Sequence, residues 1–128
     1  MNKYGKVAVR AVRLFTDNLA KSPNEAWLKA ANEIFGAATP SAKKACPQNA
    51  FLGLCEEGLV NGIRRGHYTR SKKNKRYALD AVTILRQHPG LAADSGALWN
   101  AVINDEEKKH NAQMDVVIGL WKSDLIAR

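Results

Sequence analysis

The sequence predicts an all-α fold, a compact single-domain bundle of five or six short amphipathic helices with a basic loop, and three observations predict it. Apolar residues recur at three- and four-residue steps along most of the chain, as one buried helix face requires. Capping and stopping residues bracket those stripes. The 128 residues, 45% hydrophobic and 25% charged, have the size and composition of one globular domain. Without a repeat or a Ser/Gly-rich linker, residues 1–128 form one unit.

The first helix runs from about Tyr4 to Leu19, with Val7, Ala11, Leu14, Phe15 and Leu19 inward and Arg10, Arg13 and Asp17 toward water. Ser22-Pro23-Asn24-Glu25 opens the second: Ser22 caps first-turn amides, Pro23 takes the first helical position and Glu25 bonds back to the cap. Trp27, Leu28, Ala31, Ile34 and Phe35 share its inner side, and Gly36 ends it. Pro47 begins the third helix, which turns Phe51, Leu52, Cys55 and Leu59 inward and ends near Gly62. Within it Gly53 reads as a close backbone approach and Gly58 as an end effect, because each costs a helix interior ~1 kcal/mol relative to Ala.

Ile63 to Lys73 lacks apolar periodicity and reads as a loop with a short extended piece at His67 to Thr69. The fourth helix starts at Ser71 or Asn74, turns Tyr77, Ala81, Ile84 and Leu85 inward, and stops at His88-Pro89-Gly90. A short fifth helix after Asp94-Ser95 buries Leu98, Ala101 and Val102 with Trp99 at its edge. Asn104 to Glu107 has cap-box spacing and opens the sixth, which buries Met114, Val117, Ile118, Trp121 and Leu125. A strand over Asn111 to Trp121 is the weaker alternative, because the helical steps outnumber alternation.

Charge is the functional signal. Lysine and arginine exceed aspartate and glutamate by 20 to 12, yet Arg64, Arg65, Arg70, Lys72, Lys73, Lys75 and Arg76 lie in thirteen residues without an acid, leaving +1 for the remainder. Concentrated positive charge attracts polyanions, since each phosphate neutralised releases condensed counterions. Lys72, Lys73, Lys75 and Arg76 also crowd the already positive end of the fourth helix, a conflict that a bound anion relieves. These seven cations are therefore the expected contacts to nucleic acid or another polyanion, with Tyr68 available to stack on a base and the amides around Asn74 able to bind an oxygen. The bland reading is a solvated loop that keeps the protein soluble.

Two rival classes stand beside it. A protein-interaction module or homodimer would pair the basic loop with Asp105 to Glu107 of a neighbour and show Trp99 or Leu98 on its surface, since adjacent helical residues diverge. A small enzyme would need Cys46, Asn49, Glu56 and His67 in one pocket, with Cys46 activated at a helix start. Neighbouring carboxylates Glu56 and Glu57 point about 100° apart on a helix, too far to share a substrate atom, although one of them reaches the cationic loop as a salt bridge. Cys55 reads as a small buried hydrophobe. Cys46, Cys55, His67, His88 and His110 lack zinc spacing, and neither a phosphate-loop nor a hydrolase motif is present, so the sequence calls for no metal, cofactor or catalytic residue. Charges throughout Met1 to Ala20 and the lack of an apolar run of ~20 residues point to a cytoplasmic protein without membrane contact, and two cysteines fit a reducing compartment.

The run Cys46-Pro47-Gln48-Asn49-Ala50-Phe51-Leu52-Gly53-Leu54-Cys55-Glu56-Glu57-Gly58, followed by Tyr68-Thr69-Arg70-Ser71-Lys72-Lys73-Asn74-Lys75, resembles a family of small bacterial proteins of unknown function. Some members of that family are carried on mobile elements such as integron cassettes. The resemblance covers roughly residues 4 to 88 and implies a bacterial accessory protein; it brings no activity, cofactor or site residue with it.

Overall fold

The computed structural model describes residues 2–104 and 110–128. Among the described residues six helices follow one another: α1 (Lys3–Thr16), α2 (Pro23–Phe35), α3 (Ala45–Glu56), α4 (Lys72–Gln87), α5 (Ser95–Ile103) and α6 (Gln113–Lys122), with a 3₁₀ turn at Pro89–Ala93 between α4 and α5. Among the described residues extended pairing is confined to one antiparallel bridge, Val60 with Ile126. The all-helical expectation holds.

Helix α6 is the hub. It packs on α1, α3, α4 and α5, while α1 also packs on α2 and α3 on α4. Val7, Trp27, Phe51, Leu54, Leu85, Leu98, Met114 and Leu120 are essentially sealed from water in the resulting core. Trp27 and Phe51 pack with ring centroids 5.3 Å apart, tying α2 to α3.

Caps set the boundaries. Ser22 Oγ accepts from the Glu25 amide at 3.0 Å with Pro23 in the first turn, as the sequence predicts. Glu25 reaches the Lys21 amide instead of the cap residue and pairs with Lys29. Ser71 caps α4 and Asp94 caps α5, each through its side-chain oxygen. Gly36 ends α2 with φ +98°.

Three ends share one reversal, in which a residue of positive φ lets the next amide bond five residues back. Asn18 (φ +61°) sends the Leu19 amide to the Leu14 carbonyl, Gly58 (φ +72°) sends Leu59 to Leu54, and Asp124 (φ +58°) sends Leu125 to Leu120. This corrects several expectations. Helix α1 stops at Thr16 and leaves Leu19 56% exposed, and α3 begins at Ala45, two residues before the expected Pro47, and stops at Glu56, six residues before Gly62. Gly53 and Gly58 behave as the sequence reading had them, one as a close approach and one as an end.

Other positions also differ. Leu28 is exposed on α2, and Ala101 is exposed on α5. Trp99 is buried together with Leu98, because α4, α6 and the 3₁₀ turn all pack against α5. Its ring stands edge-on to Tyr77 at 5.0 Å and beside His110 at 5.4 Å, so the aromatic expected on a partner-facing surface belongs to the core. Asn104 ends α5 in the left-handed region, and α6 starts only at Gln113. The acidic residues of the expected cap box and partner patch, Asp105, Glu106 and Glu107, lie outside the described residues.

Candidate anion-binding surface

Residues 57–71 cross from the end of α3 to the start of α4, and one carboxylate fastens the crossing. Glu56 Oε1 accepts from the amides of Tyr68 (2.8 Å) and Thr69 (3.1 Å), while its Oε2 meets Lys75 Nζ at 2.6 Å. Burial pushes this carboxyl group up, but the Lys75 ammonium and the Thr69 and Tyr68 amides outweigh that and hold its pKa at about 2. Glu57 Oε1 lies 2.8 Å from the same Nζ, and its Oε2 lies 3.4 Å from Arg65. The Glu57 pKa is lowered, chiefly by the hydrogen bond and charge of Lys75 with help from Arg65, against burial and the neighbouring Glu56 charge, which raise it. Both carboxylates thus reach the cationic segment, where the sequence predicts that one does, because Lys75 Nζ on α4 comes within hydrogen-bonding distance of Glu56 and Glu57 together.

Close packing makes this possible. A Cβ on Gly53 would stand 2.7 Å from the Lys75 Cα, so only glycine on α3 lets the first turn of α4 settle against it.

A polar chain continues the anchorage. Thr69 Oγ1 donates to Asn49 Oδ1 (2.9 Å) and accepts from the Ser71 amide; Asn74 donates to Ser71 Oγ and accepts from Gln113 Nε2 at 3.1 Å. Gln113, 3% exposed, also accepts from the Asn111 amide. Tyr68 is half-buried. Its hydroxyl donates to the Arg64 carbonyl (2.6 Å), its own carbonyl accepts from Asn24 (2.9 Å), and its ring folds over Gly66. The expected extended piece at His67 to Thr69 is thus held by side chains and forms no ladder.

The seven cations divide accordingly. Lys75 is turned inward between two carboxylates, and Arg65 leans on Glu57 while remaining largely exposed. Arg64, Arg70, Lys72, Lys73 and Arg76 are exposed and form no ion pair among the described residues. The first turn of α4 contains no acid of its own, and the carboxylates that reach it, Glu56 and Glu57, pair with Lys75 and not with Lys72 or Lys73. Between this segment and the end of α3 opens a cleft of about 340 Å³ lined by Glu56, Glu57, Arg65, Gly66, His67 and Lys75.

Of the residues that an enzyme would need together, Glu56 and His67 meet at this cleft, Asn49 sits behind Thr69, and Cys46 lies half-buried in the first turn of α3, outside the cleft lining. Cys55 is fully buried, and burial pushes its thiol pKa strongly up, as suits a small hydrophobe. Among the described residues no three His, Cys, Asp or Glu side chains are grouped to hold a metal ion, and no helix is long and apolar enough to cross a membrane. Nothing in the sequence marks Asn24, Thr69 or Gln113 as anchoring residues. A lone amide or hydroxyl carries no spacing signal, and only the fold brings Asn24 and Thr69 together at the crossing segment and Gln113 to Asn74 in the first turn of α4.

The profile of a family described as a family of unknown function (DUF6979) matches residues 1–127, extending through the tail that the resemblance left out. No curated protein and no solved structure matches the chain.

Proposed function

The chain belongs to this family of unknown function, and from that premise we propose that it is a non-enzymatic binding module that holds a nucleic acid through its basic segment. One observation carries the reading: Arg64, Arg70, Lys72, Lys73 and Arg76 are exposed and unpaired among the described residues, on a segment that Glu56 and Asn49 pin to α3. A pinned cationic surface loses little conformational entropy on meeting phosphate, whereas a mobile loop would have to be ordered first. The like-charge crowding at the start of α4 is relieved when phosphate arrives, so binding gains twice. A bacterial, cytoplasmic accessory role on a mobile element is the setting that fits such a module.

Fluorescence anisotropy with labelled single- and double-stranded DNA and RNA, titrated across ~50 to 200 mM salt, tests it. Micromolar binding with a steep salt slope is expected. Absence of binding to every probe at the lowest salt overturns the reading and moves the basic segment to an acidic protein partner.

A further inference from the structure

The cleft behind the cations contains something that a phosphate-binding surface does not need. Glu57 places a carboxylate beside the basic segment, where it repels phosphate and accepts from hydrogen-bond donors. It pairs with Lys75 and Arg65, yet it is less enclosed than Glu56. The Glu56 side chain is 11% exposed and its oxygens serve two amides and Lys75, whereas the Glu57 side chain is 36% exposed and opens onto the cleft. Lys75 and Arg65 flank it, so the wall presents an acceptor pair beside cationic donors.

Bases differ in how they meet such a wall. The Watson–Crick edge of guanine offers two adjacent donors, N1–H and the N2 amino group, beside the O6 acceptor. Adenine and cytosine offer one amino group next to a ring acceptor, and thymine or uracil offers one imino group between two carbonyls, which a carboxylate repels. At about 340 Å³ the cleft is at the lower end of the ~300–1,000 Å³ range of small-molecule sites, which suits one base. His67 is exposed on its lining and supplies a flat ring for stacking.

We propose that this cleft takes an unpaired guanine from a bound single strand, with Glu57 accepting from N1–H and the N2 amino group and the neighbouring Lys75 or Arg65 donating to O6. The proposal rests on the reading of the basic segment as a nucleic-acid surface and names the base that it selects. Exposed cations supply strength independent of sequence, and the cleft supplies the choice.

The test uses the full chain and thymidine-tract oligonucleotides that carry one central guanine, inosine, adenine or thymine, so that no four-stranded guanine structure forms. The guanine probe is expected to bind about tenfold tighter than the all-thymine probe, and inosine, which lacks the N2 amino group, to lose most of that preference. Glu57→Gln separates base reading from simple charge. It is expected to tighten binding to the all-thymine probe, because a negative charge is gone, while abolishing the guanine preference. Equal affinity for all four probes, or a Glu57→Gln variant that tightens all of them by one factor, overturns the cleft proposal and leaves the cationic surface standing. Failure of every probe to bind at low salt overturns both.

Discussion

At the scale of single residues, Glu56 matters most for the order of the surface. Glu56→Gln removes the charge that Lys75 and two amides share, and is expected to cost about 2 kcal/mol in urea unfolding at neutral pH, within the range for hydrogen bonds to charged groups. Its folded-state pKa lies below the ordinary carboxylate value, so its contribution is complete above that value and is lost as pH falls toward about 2. The variant is therefore expected to lose less stability than the parent across that acid range; parallel stability curves for the two would refute the assignment. His110 works at higher pH. Its Nε2 accepts from the Met114 amide at 3.2 Å in the first turn of α6, and burial lowers its pKa, with Lys44 acting in the same direction and Asp115 against it. A base whose folded pKa is lowered contributes fully above its ordinary value of about 6.5, and the contribution fades as pH drops below that. Chemical unfolding between about pH 7.5 and 5 is expected to show this loss in the parent and a flatter dependence in His110→Asn, which caps without titrating in that range.

At the scale of elements, the packing of α3 on α4 can be separated from helix propensity. Alanine favours a helix over glycine by ~1 kcal/mol, yet a Cβ at position 53 would stand 2.7 Å from the Lys75 backbone, and overpacking of that kind typically costs 1–3 kcal/mol. Backbone cannot swing aside as a side-chain tip can, so Gly53→Ala is expected to destabilise by about 1 kcal/mol and to weaken nucleic-acid binding as α4 shifts outward. A stabilised variant would show that the approach is soft. Helix starts were legible because a cap is local: Ser22, Ser71 and Asp94 each bond an amide three residues on. Helix ends were less so. Asn18, Gly58 and Gly62 all adopt positive φ, and which of them stops a helix depends on what the following segment packs against.

At the scale of the whole molecule, charge and stability are expected to part company. Lys72 and Lys73 are exposed, form no ion pair among the described residues and sit at the positive end of α4. Lys72→Glu with Lys73→Glu is expected to weaken DNA binding and lower the salt slope by about 1.5, while melting temperature stays level or rises. A large fall in melting temperature would mean that these lysines hold the fold. The sequence by itself determined the all-helical class, the capped starts of α2, α4 and α5, the buried thiol of Cys55 and the concentration of charge at residues 64–76. Those features come from periodicity, caps and composition, which act within a few residues of themselves. Only the tertiary structure decided that Lys75 turns inward while its neighbours face water, that Glu56 and Glu57 converge on it, and that Trp99 joins the core. Each of these depends on contacts between residues far apart in sequence, such as Gly53 against Lys75 and Asn74 against Gln113, whose partners are chosen by how the helices pack and not by any local pattern.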